Sequence, residues 1–372
     1  MPSYGTLSVD TLINGAGDTF TVNSGLYGFK NKIINGDMRI DQRNAGANTV
    51  PTNNYTLDRW DALNNGSAAK FAVQQNAGSV TPPTGFTNYI GIVSTSAYSI
   101  TSTDLFRFGT TIEGYDIADL AWGTAGAKAA TLSFWVYSSL TGPFGGAIQN
   151  QYNTRAFPFL YTINQANTWE YKTINILPET SGAWAANNTL GLRLQFSLGT
   201  GSTKSQTAGA WFAGDCNSAT GAGSVVGTAN ARFYMTGVQF ERGSTATSFD
   251  YRPYGTELAL CQRYYYQSTN YASASFTYAQ ADFLVYGAAV GASNWQWSNA
   301  RFPVTMRTAP TVTTSDQAGN IGKLSLWTSA GGTTTNNNTP YTVYTTMNNY
   351  LVSVYTEAKY GFFGAVSATA EL

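Results

Sequence analysis

GVQFERGSTATSFDYRPYGTELALCQRYYY, residues 237–266, stands between two β-rich halves of the chain. Val238 and Phe240 alternate with Gln239 and Glu241, the period of a half-buried strand, and Gly243-Ser244 ends it. The chain then reads as extended through Phe249 and Tyr251 to Pro253. From Thr256 to about Tyr266 the spacing is helical: Leu258, Cys261 and Tyr265 recur at i, i+3 and i+7, with Gln262 and Arg263 on another face. A helix this short is marginal alone, so it is expected to be a hinge held by two domains or by neighbouring copies of the chain.

Working outward, the totals favour strands. Of 372 residues only 11% are charged while 14% are aromatic, so the polar surface must come from Gly, Ser, Thr, Asn and Gln. That composition suits short strands joined by turns, and the fold class expected is all-β. The length implies two or three domains. Lys and Arg total 20 against 20 Asp and Glu, with no basic run, which argues against a nucleic-acid partner. The start, MPSYGTLSVD, lacks the basic and apolar regions of a signal peptide. No apolar run approaches the roughly 18 residues of a membrane span, the best being 283–289. These features predict a soluble chain made in a cytoplasm, with no membrane insertion. Cys216 and Cys261 are too few for a disulfide framework; both are expected to be reduced, with a single bridge left open. The chain has no histidine, which excludes Ser-His-Asp and Cys-His catalysis and His-containing zinc sites.

Residues 1–28 alternate at Leu7, Val9 and Thr11, break at Asn14-Gly15-Ala16-Gly17, and alternate again at Phe20 and Val22. Two short strands about a turn are not stable alone. The segment is either a frayed tail or an attachment segment that adds strands to another protein. Ile34, Met38 and Ile40 supply the apolar positions of an opening strand, turned at Asn44-Ala45-Gly46. Further on, Leu132, Phe134 and Val136 alternate with Ser133, Trp135 and Tyr137, and Leu192, Leu194 and Phe196 with Arg193, Gln195 and Ser197. Such alternation between Gly-rich turns is the pattern of an antiparallel sandwich. Composition assigns 141–146, 180–188 and 213–227 to loops, the last expected to be mobile or pinned by a neighbouring subunit. Beyond the helix, strands are expected at 276–278, 283–290, 293–302, 311–314, 324–328, 341–346 and 350–355, with 333–338 a polar loop.

Two stretches carry a specific resemblance. Ile34-Asn35-Gly36-Asp37-Met38-Arg39-Ile40-Asp41-Gln42-Arg43, with Tyr55-Thr56-Leu57-Asp58-Arg59-Trp60 after it, resembles the opening of a domain common in phage tail fibre and virion-associated proteins. That domain is similar to the jelly-roll, galactose-binding-like carbohydrate-binding modules of secreted glycosidases. Residues 129–137, 167–176, 190–198 and 231–243 resemble its later strands in order, and GVQFERG leading into FDYRPYGTELALCQRYY is the most characteristic match. The segments 302–312 and 362–372 resemble the portions of the same fibre proteins that lie beyond the helix, up to their C-terminal end. The resemblance implies an N-terminal virion attachment segment (1–28), a jelly-roll domain (29–252), a linking helix (253–267) and a β-sandwich-like distal domain (268–372). It further implies a homotrimer, anchored to other virion proteins through residues 1–28.

A sugar site needs aromatic faces for C–H groups and Asn, Gln or Asp for hydroxyls. The candidates are Trp122, Trp184 with Asn187 and Asn188, Trp211, and in the distal unit Trp295 and Trp297. Each has packing as its alternative role; Trp60 and Trp135 lie in strands and read as core or sheet-packing residues. Trp295 and Trp297 share a strand face, as a stacking platform or a subunit interface. Glu113, Asp116 and Asp119 form the closest group of carboxylates. They read as a solvated turn or a calcium-type oxygen site rather than a glycosidase pair, although no calcium-motif spacing is present. Asp58 and Asp61 flank Arg59 as surface ion pairs or turn anchors. No cofactor is implied.

The expected function is attachment of a virion fibre or spike to a host-surface polysaccharide, without catalysis. The competing class is a structural virion component, such as a capsid decoration, head fibre or tail adaptor; a polysaccharide depolymerase using Glu113 comes third. A neutral surface rich in Thr and Asn predicts binding to hydroxyl-rich ligands that changes little with ionic strength. A steep loss between low and moderate salt would contradict it.

Overall fold

The computed structural model describes residues 11–13, 19–21, 29–65, 70–268, 281, 283–286, 294–327, 334–338, 341–356 and 361–372. A hairpin of β1 (Thr11–Ile13) and β2 (Thr19–Thr21) pairs Thr11 with Thr21; the rest of 1–28 lies outside the described residues. The chain divides into two compact units. The first takes the segment up to Arg39, Asn48–Tyr55 and Trp60–Arg252; the second takes Ile40–Ala47, Thr56–Arg59 and Pro253–Leu372. Two short segments inside the range read as jelly roll thus belong to the second unit.

After the hairpin come β3 (Asn54–Leu57), β4 (Trp60–Asn65), β5 (Phe71–Gln75), β6 (Ile90–Ser94), β7 (Leu105–Glu113), a helical turn α1 (Gly114–Ile117), β8 (Ala130–Ser138), β9 (Gly142–Asn150), β10 (Ala156–Ile163), β11 (Glu170–Ile176), β12 (Leu190–Thr200), β13 (Ser205–Gln206), β14 (Ser218–Ala219) and β15 (Arg232–Arg242). They form a six-stranded sheet, β10-β9-β12-β7-β4-β3, and a five-stranded sheet, β11-β8-β15-β6-β5, packed as an antiparallel jelly-roll sandwich. The alternating residues do what their period requires: Leu132, Phe134, Val136, Leu192, Leu194 and Phe196 are all fully buried. Rings from both sheets meet there, Phe196 lying 5.2 Å from Phe108 and 5.1 Å from Phe134 between centroids.

Three expectations for this unit are corrected. Residues 34–37 form a turn and 38–40 are irregular rather than a strand, with Asn35 and Met38 at φ 58 and 60. Their role is to clamp β15: Val238 N–H donates to the Gly36 carbonyl (2.9 Å), Asn31 Nδ2 to the Val238 carbonyl (3.0 Å), and Trp60 Nε1 to the Asn35 carbonyl (3.0 Å). A Cβ on Gly36 would overlap the Val238 carbonyl oxygen, which explains a glycine there. The 141–146 stretch, expected to be a loop, opens the internal strand β9, because Gly145 and Gly146 let β9 approach β10 and β12 where a side chain at Gly146 would meet the Phe159 ring. The 213–227 segment is fixed on its own unit: β14 pairs with β13, and Cys216, Val225 and Val226 are fully buried.

The second unit contains α2 (Tyr254–Gln262), β16 (Tyr265–Gln267), β17 (Phe283–Tyr286), β18 (Asn294–Arg301), β19 (Thr311–Ser315), β20 (Leu324–Trp327), β21 (Thr334–Asn338), β22 (Tyr341–Thr345), β23 (Asn349–Thr356) and β24 (Gly361–Thr369). β24 is its hub, pairing with β16, β17, β19 and β20; β18-β23-β22 form a second sheet. Phe302, Met306, Leu326, Tyr350, Val352, Phe362 and Val366 fill the core. The 334–338 run, expected to be a loop, is a strand paired with β20, where β-branched threonines suit an added strand. Phe276–Tyr278 lies outside the described residues.

α2 is shorter than its spacing suggested. It ends at Gln262, and Tyr265 is already extended, opposite Thr369 of β24. Tyr265 therefore does not share a helical face with Leu258 and Cys261. The buried pair is Glu257 and Cys261, at i and i+4, while Leu258 is only half-buried. Both cysteines are free thiols, and burial holds Cys216 up at about 11 and Cys261 well above its usual range.

A buried charge cluster ties 40–47 and 56–59 into this unit. Glu371 accepts from Arg43 Nη2 at 2.7 Å and from Arg59 Nη1, while the Arg59 guanidinium lies 3.6 Å from the Tyr264 ring centre and that of Arg43 3.8 Å from Tyr265. Asp58, read from the sequence as part of a surface ion pair or as a turn anchor, is fully buried, and accepts Gln42 N–H at 2.5 Å and Gln42 Nε2 at 2.8 Å. Burial pushes its carboxyl up to about 7, against the opposing pull of Arg43. The folded state therefore holds a proton that the unfolded chain releases near pH 3.8. This contribution to stability is full below that pH and is lost as pH rises through about 7. Asp58→Asn should flatten the pH dependence of unfolding of the second unit across this window, measured by urea titration at fixed pH values. Glu371→Ala, which leaves two buried guanidiniums without their carboxylate, should cost about 3–5 kcal/mol in the same assay.

Candidate functional site

Three of the sequence candidates converge. Trp122, Trp184 and Trp211 meet edge to face in one cluster, with centroids 4.8 Å (Trp122–Trp184), 5.1 Å (Trp122–Trp211) and 5.6 Å (Trp184–Trp211) apart. Each indole N–H is already committed, to the carbonyls of Lys128, Ser181 and Leu177 respectively. Trp122 is 5% exposed and also packs on Phe240, and Trp211 on Phe157. The loop carrying Trp184 is held by Glu179, whose Oε2 accepts both Nε (2.9 Å) and Nη2 (2.7 Å) of Arg155. This geometry belongs to packing between Phe240 of one sheet and Phe157 of the other, and it offers no open aromatic face at Trp122. Asn187 is exposed, but its Oδ1 accepts from Thr189 N–H and Oγ1; Asn188 is half-buried.

An open aromatic surface lies elsewhere. A cleft of about 580 Å³ on the outer face of the five-stranded sheet is lined by Phe86, Trp135, Tyr171, Phe249 and Tyr251, with Thr84, Ser133, Thr247 and Ser248 among its polar groups. Trp135 and Tyr171 sit opposite each other on β8 and β11, 5.3 Å apart, and Tyr171 is 44% exposed. Across the cleft Phe86, Phe249 and Tyr251 pack at 4.9–5.5 Å, with Tyr251 54% exposed.

The space between the two groups is set by β15. Its pairing with β8 skips from Thr236–Trp135 to Gln239–Ser133, and Gly237 occupies this bulge at φ +61. The returning 246–251 segment is tied to β15: Glu241 accepts from Thr247 N–H (2.9 Å) and Oγ1 (2.7 Å), and Gln239 Oε1 from Asp250 N–H (2.8 Å). Apolar ring faces beside hydroxyls, on a preformed surface, suit a ligand that presents both C–H faces and hydroxyl groups.

Sequence reasoning placed Trp135 in the core or in sheet packing and did not select Tyr171, Phe86, Phe249 or Tyr251. The available signal was phase: with Phe134 and Val136 facing inward, Trp135 had to face out. Among the other candidates, Trp297 is 62% exposed on β18, with Tyr344 of β22 63% exposed on the same sheet, and the side chain of Trp295 lies outside the described residues. The carboxylates do not converge. Asp119 pairs with Lys32 at 2.5 Å, Glu113 is buried at the end of β7, and no group of three metal-ligating side chains occurs among the described residues. Asp61 pairs with Arg107 at 2.8 Å.

No family model and no curated protein matches the chain. Among solved structures, it is similar to the enzymatically active domain of tailspike protein 4 of bacteriophage CBA120, with 12% identity over 57% of this chain and a TM-score of 0.33. The match spans 22% of that tailspike chain. It is also similar to a family 11 carbohydrate-binding module from Clostridium thermocellum solved with a β-1,3-1,4-mixed-linked tetrasaccharide, with 11% identity over 54% of this chain and 98% of that one and a TM-score of 0.27. The CBM22-1 xylan-binding domain from Paenibacillus barcinonensis matches at 10% identity over 55% and 99%, with a TM-score of 0.25.

Gly237 is the position on which the cleft depends. A Cβ there would lie 2.6 Å from Phe86 Cζ and 3.2 Å from Trp135 Cδ1, in a left-handed conformation. Gly237→Ala should cost about 1–2 kcal/mol from backbone strain alone and change the near-ultraviolet circular dichroism as Phe86 and Trp135 move. An unchanged spectrum and stability would contradict this geometry.

Proposed function

We propose that the first unit binds a neutral stretch of polysaccharide in the Trp135–Tyr171 cleft, and that the protein serves as a non-catalytic tail fibre or spike attaching a virion to a host-surface glycan. The observation that carries the binding reading is the cleft: five rings around about 580 Å³ with hydroxyls at their edges. Its lining includes no carboxylate, whereas glycoside hydrolysis uses two flanking the scissile bond; this supports binding over cleavage. The virion role rests on the resemblance carried by residues 34–43, 55–60 and 237–266. In the proposed assembly the chain is a homotrimer, with residues 1–28 adding strands to another virion protein. Repeating a weak site three times raises avidity by about 10²–10⁴ where the geometry allows simultaneous engagement. The solvent-facing Trp297 and Tyr344 favour the distal three-stranded sheet as a contact surface in that assembly.

A glycan array with the full chain, and then with Trp135→Ala and Tyr171→Ala, tests this reading. Each substitution should weaken binding about tenfold, as expected for aromatic contacts central to a site. Stability should stay within about 1 kcal/mol of wild type, because both rings lie outside the core. Array binding that survives both substitutions, or a monomer by sedimentation, would contradict the respective parts of the proposal.

A further inference from the structure

The aromatic cleft is closed in one direction along β11 and open in the other. The segment 81–86 crosses the outer face of the five-stranded sheet from β11 to β15. At its start the Thr81 carbonyl accepts Trp169 Nε1 at 2.9 Å; at its end the Phe86 ring stands over Gly237, where a Cβ would lie 2.6 Å from Phe86 Cζ. Phe86 N–H donates to the Pro83 carbonyl at 3.0 Å, which closes a turn within the crossing. Trp169 immediately precedes β11, in phase with Tyr171, and its ring packs 5.6 Å from Tyr89 and 5.5 Å from Tyr137. On this side of Tyr171 the floor is therefore covered. The 246–251 segment, tied to β15, makes a second wall.

In the other direction β11 runs out uncovered. It is the last strand of its sheet, and its outward residues after Tyr171 are Thr173, opposite Ser133 of the cleft lining, and Asn175, opposite Thr131. Both are exposed, and neither side chain has a hydrogen bond among the described residues. From Tyr171 to Asn175 the strand covers about 13 Å at about 3.3 Å per residue, longer than one sugar ring. The charged residues of β11 stand in the opposite phase and are tied to each other: Lys172 Nζ donates to Glu170 Oε2 at 2.6 Å, and Glu170 Oε1 also accepts N–H from Asn164 and Gln165. The open run is thus a ring, a hydroxyl and an amide in a row, without charge. On the 246–251 wall the Thr247 hydroxyl is committed to Lys30 and Glu241, whereas Ser248 is exposed and its hydroxyl is uncommitted.

We infer that the cleft recognises the end of a neutral glycan chain: the terminal sugar lies on Trp135 and Tyr171 against the 81–86 crossing, and the next units run out along β11 over Thr173 and Asn175. The inference rests on the reading that this cleft binds polysaccharide, and adds which part of the polymer it takes. A chain held by its middle needs an exit at both ends of the floor, and the capped Trp169 removes one of them. The ring faces take the C–H surface of the terminal unit. The amide of Asn175 and the hydroxyls of Thr173 and Ser248 can each give and accept hydrogen bonds with sugar hydroxyls. The number of such sites on a polymer is then set by its chain ends and not by its mass.

Calorimetric titration of the full chain with neutral β-1,4-galactan, xylan and mixed-linkage β-glucan, each intact and as its hexasaccharide and disaccharide, tests the inference. On a polymer that binds, the number of protein molecules held per gram should rise in proportion to chain ends as the polymer is cut shorter. Asn175→Ala should weaken hexasaccharide binding about threefold to tenfold, the loss of one hydrogen bond. The same substitution should leave disaccharide binding and the thermal midpoint unchanged, because this side chain is exposed and unbonded within the protein. Trp135→Ala should weaken both oligosaccharides. Sites per gram that stay constant on cutting, or an equal effect of Asn175→Ala on both lengths, would overturn end recognition while the cleft reading stands. Absence of binding to every preparation, or binding indifferent to Trp135→Ala, would overturn the cleft reading and this inference with it.

Discussion

Each strand of a two-sheet sandwich can send only every second side chain into the space between the sheets, and this constraint organises the first unit. The core takes Phe106, Phe108, Phe134, Phe196 and Phe233, all fully buried. Any ring in the opposite phase is then carried to an outer face, where it costs exposed apolar surface unless something covers it. Trp135 and Tyr171 are in that phase on adjacent strands. The bulge at Gly237 and the clamp from Asn31 to Gly36 then set how much of those rings stays open, because they determine the path of β15 past β8. Fold and cleft thus share one cause, and the characteristic Ile34–Arg39 and Gly237–Glu241 segments are two sides of the same hydrogen-bonded contact.

The second unit depends on a different device. The segments 40–47 and 56–59 are built into it by charge as well as by the apolar burial of Ile40 and Leu57. Removing Arg43, Arg59, Asp58 and Glu371 from water is costly. The cost is offset by the two guanidiniums sharing Glu371, by their stacking on Tyr264 and Tyr265, and by Gln42 satisfying Asp58. Such a cluster is specific in geometry, which explains why a chain with so few charges concentrates several of them in the Asp41-Gln42-Arg43 and Asp58-Arg59 segments.

Much of the architecture was legible in the sequence. Period-two runs at 132–136 and 192–196 identified sandwich strands, and composition alone identified an all-β chain. What escaped was structure written in residues without a pattern. β9 carries Gly142, Gly145 and Gly146 and so resembled a loop, although those glycines are what let the strands approach. β21 is a polar threonine-asparagine run whose strand state comes from pairing with β20. Helical spacing from Leu258 to Tyr265 was real but overextended, since Tyr265 pairs with β24 instead. For the site, searching loops for tryptophan found Trp122, Trp184 and Trp211 and missed the outward phase of Trp135. A pairing of Tyr171 with Trp135 needs strand register, which no local pattern supplies.

The account turns on whether a sugar ring lies against the indole of Trp135. A crystal structure of the protein soaked with an oligosaccharide selected by array would show this directly. The account predicts density for a pyranose ring stacked on Trp135 and flanked by Tyr171 and Tyr251, with Gly237 beneath it. An oligosaccharide bound instead at the Trp122, Trp184 and Trp211 cluster, with the cleft holding only solvent, would contradict it.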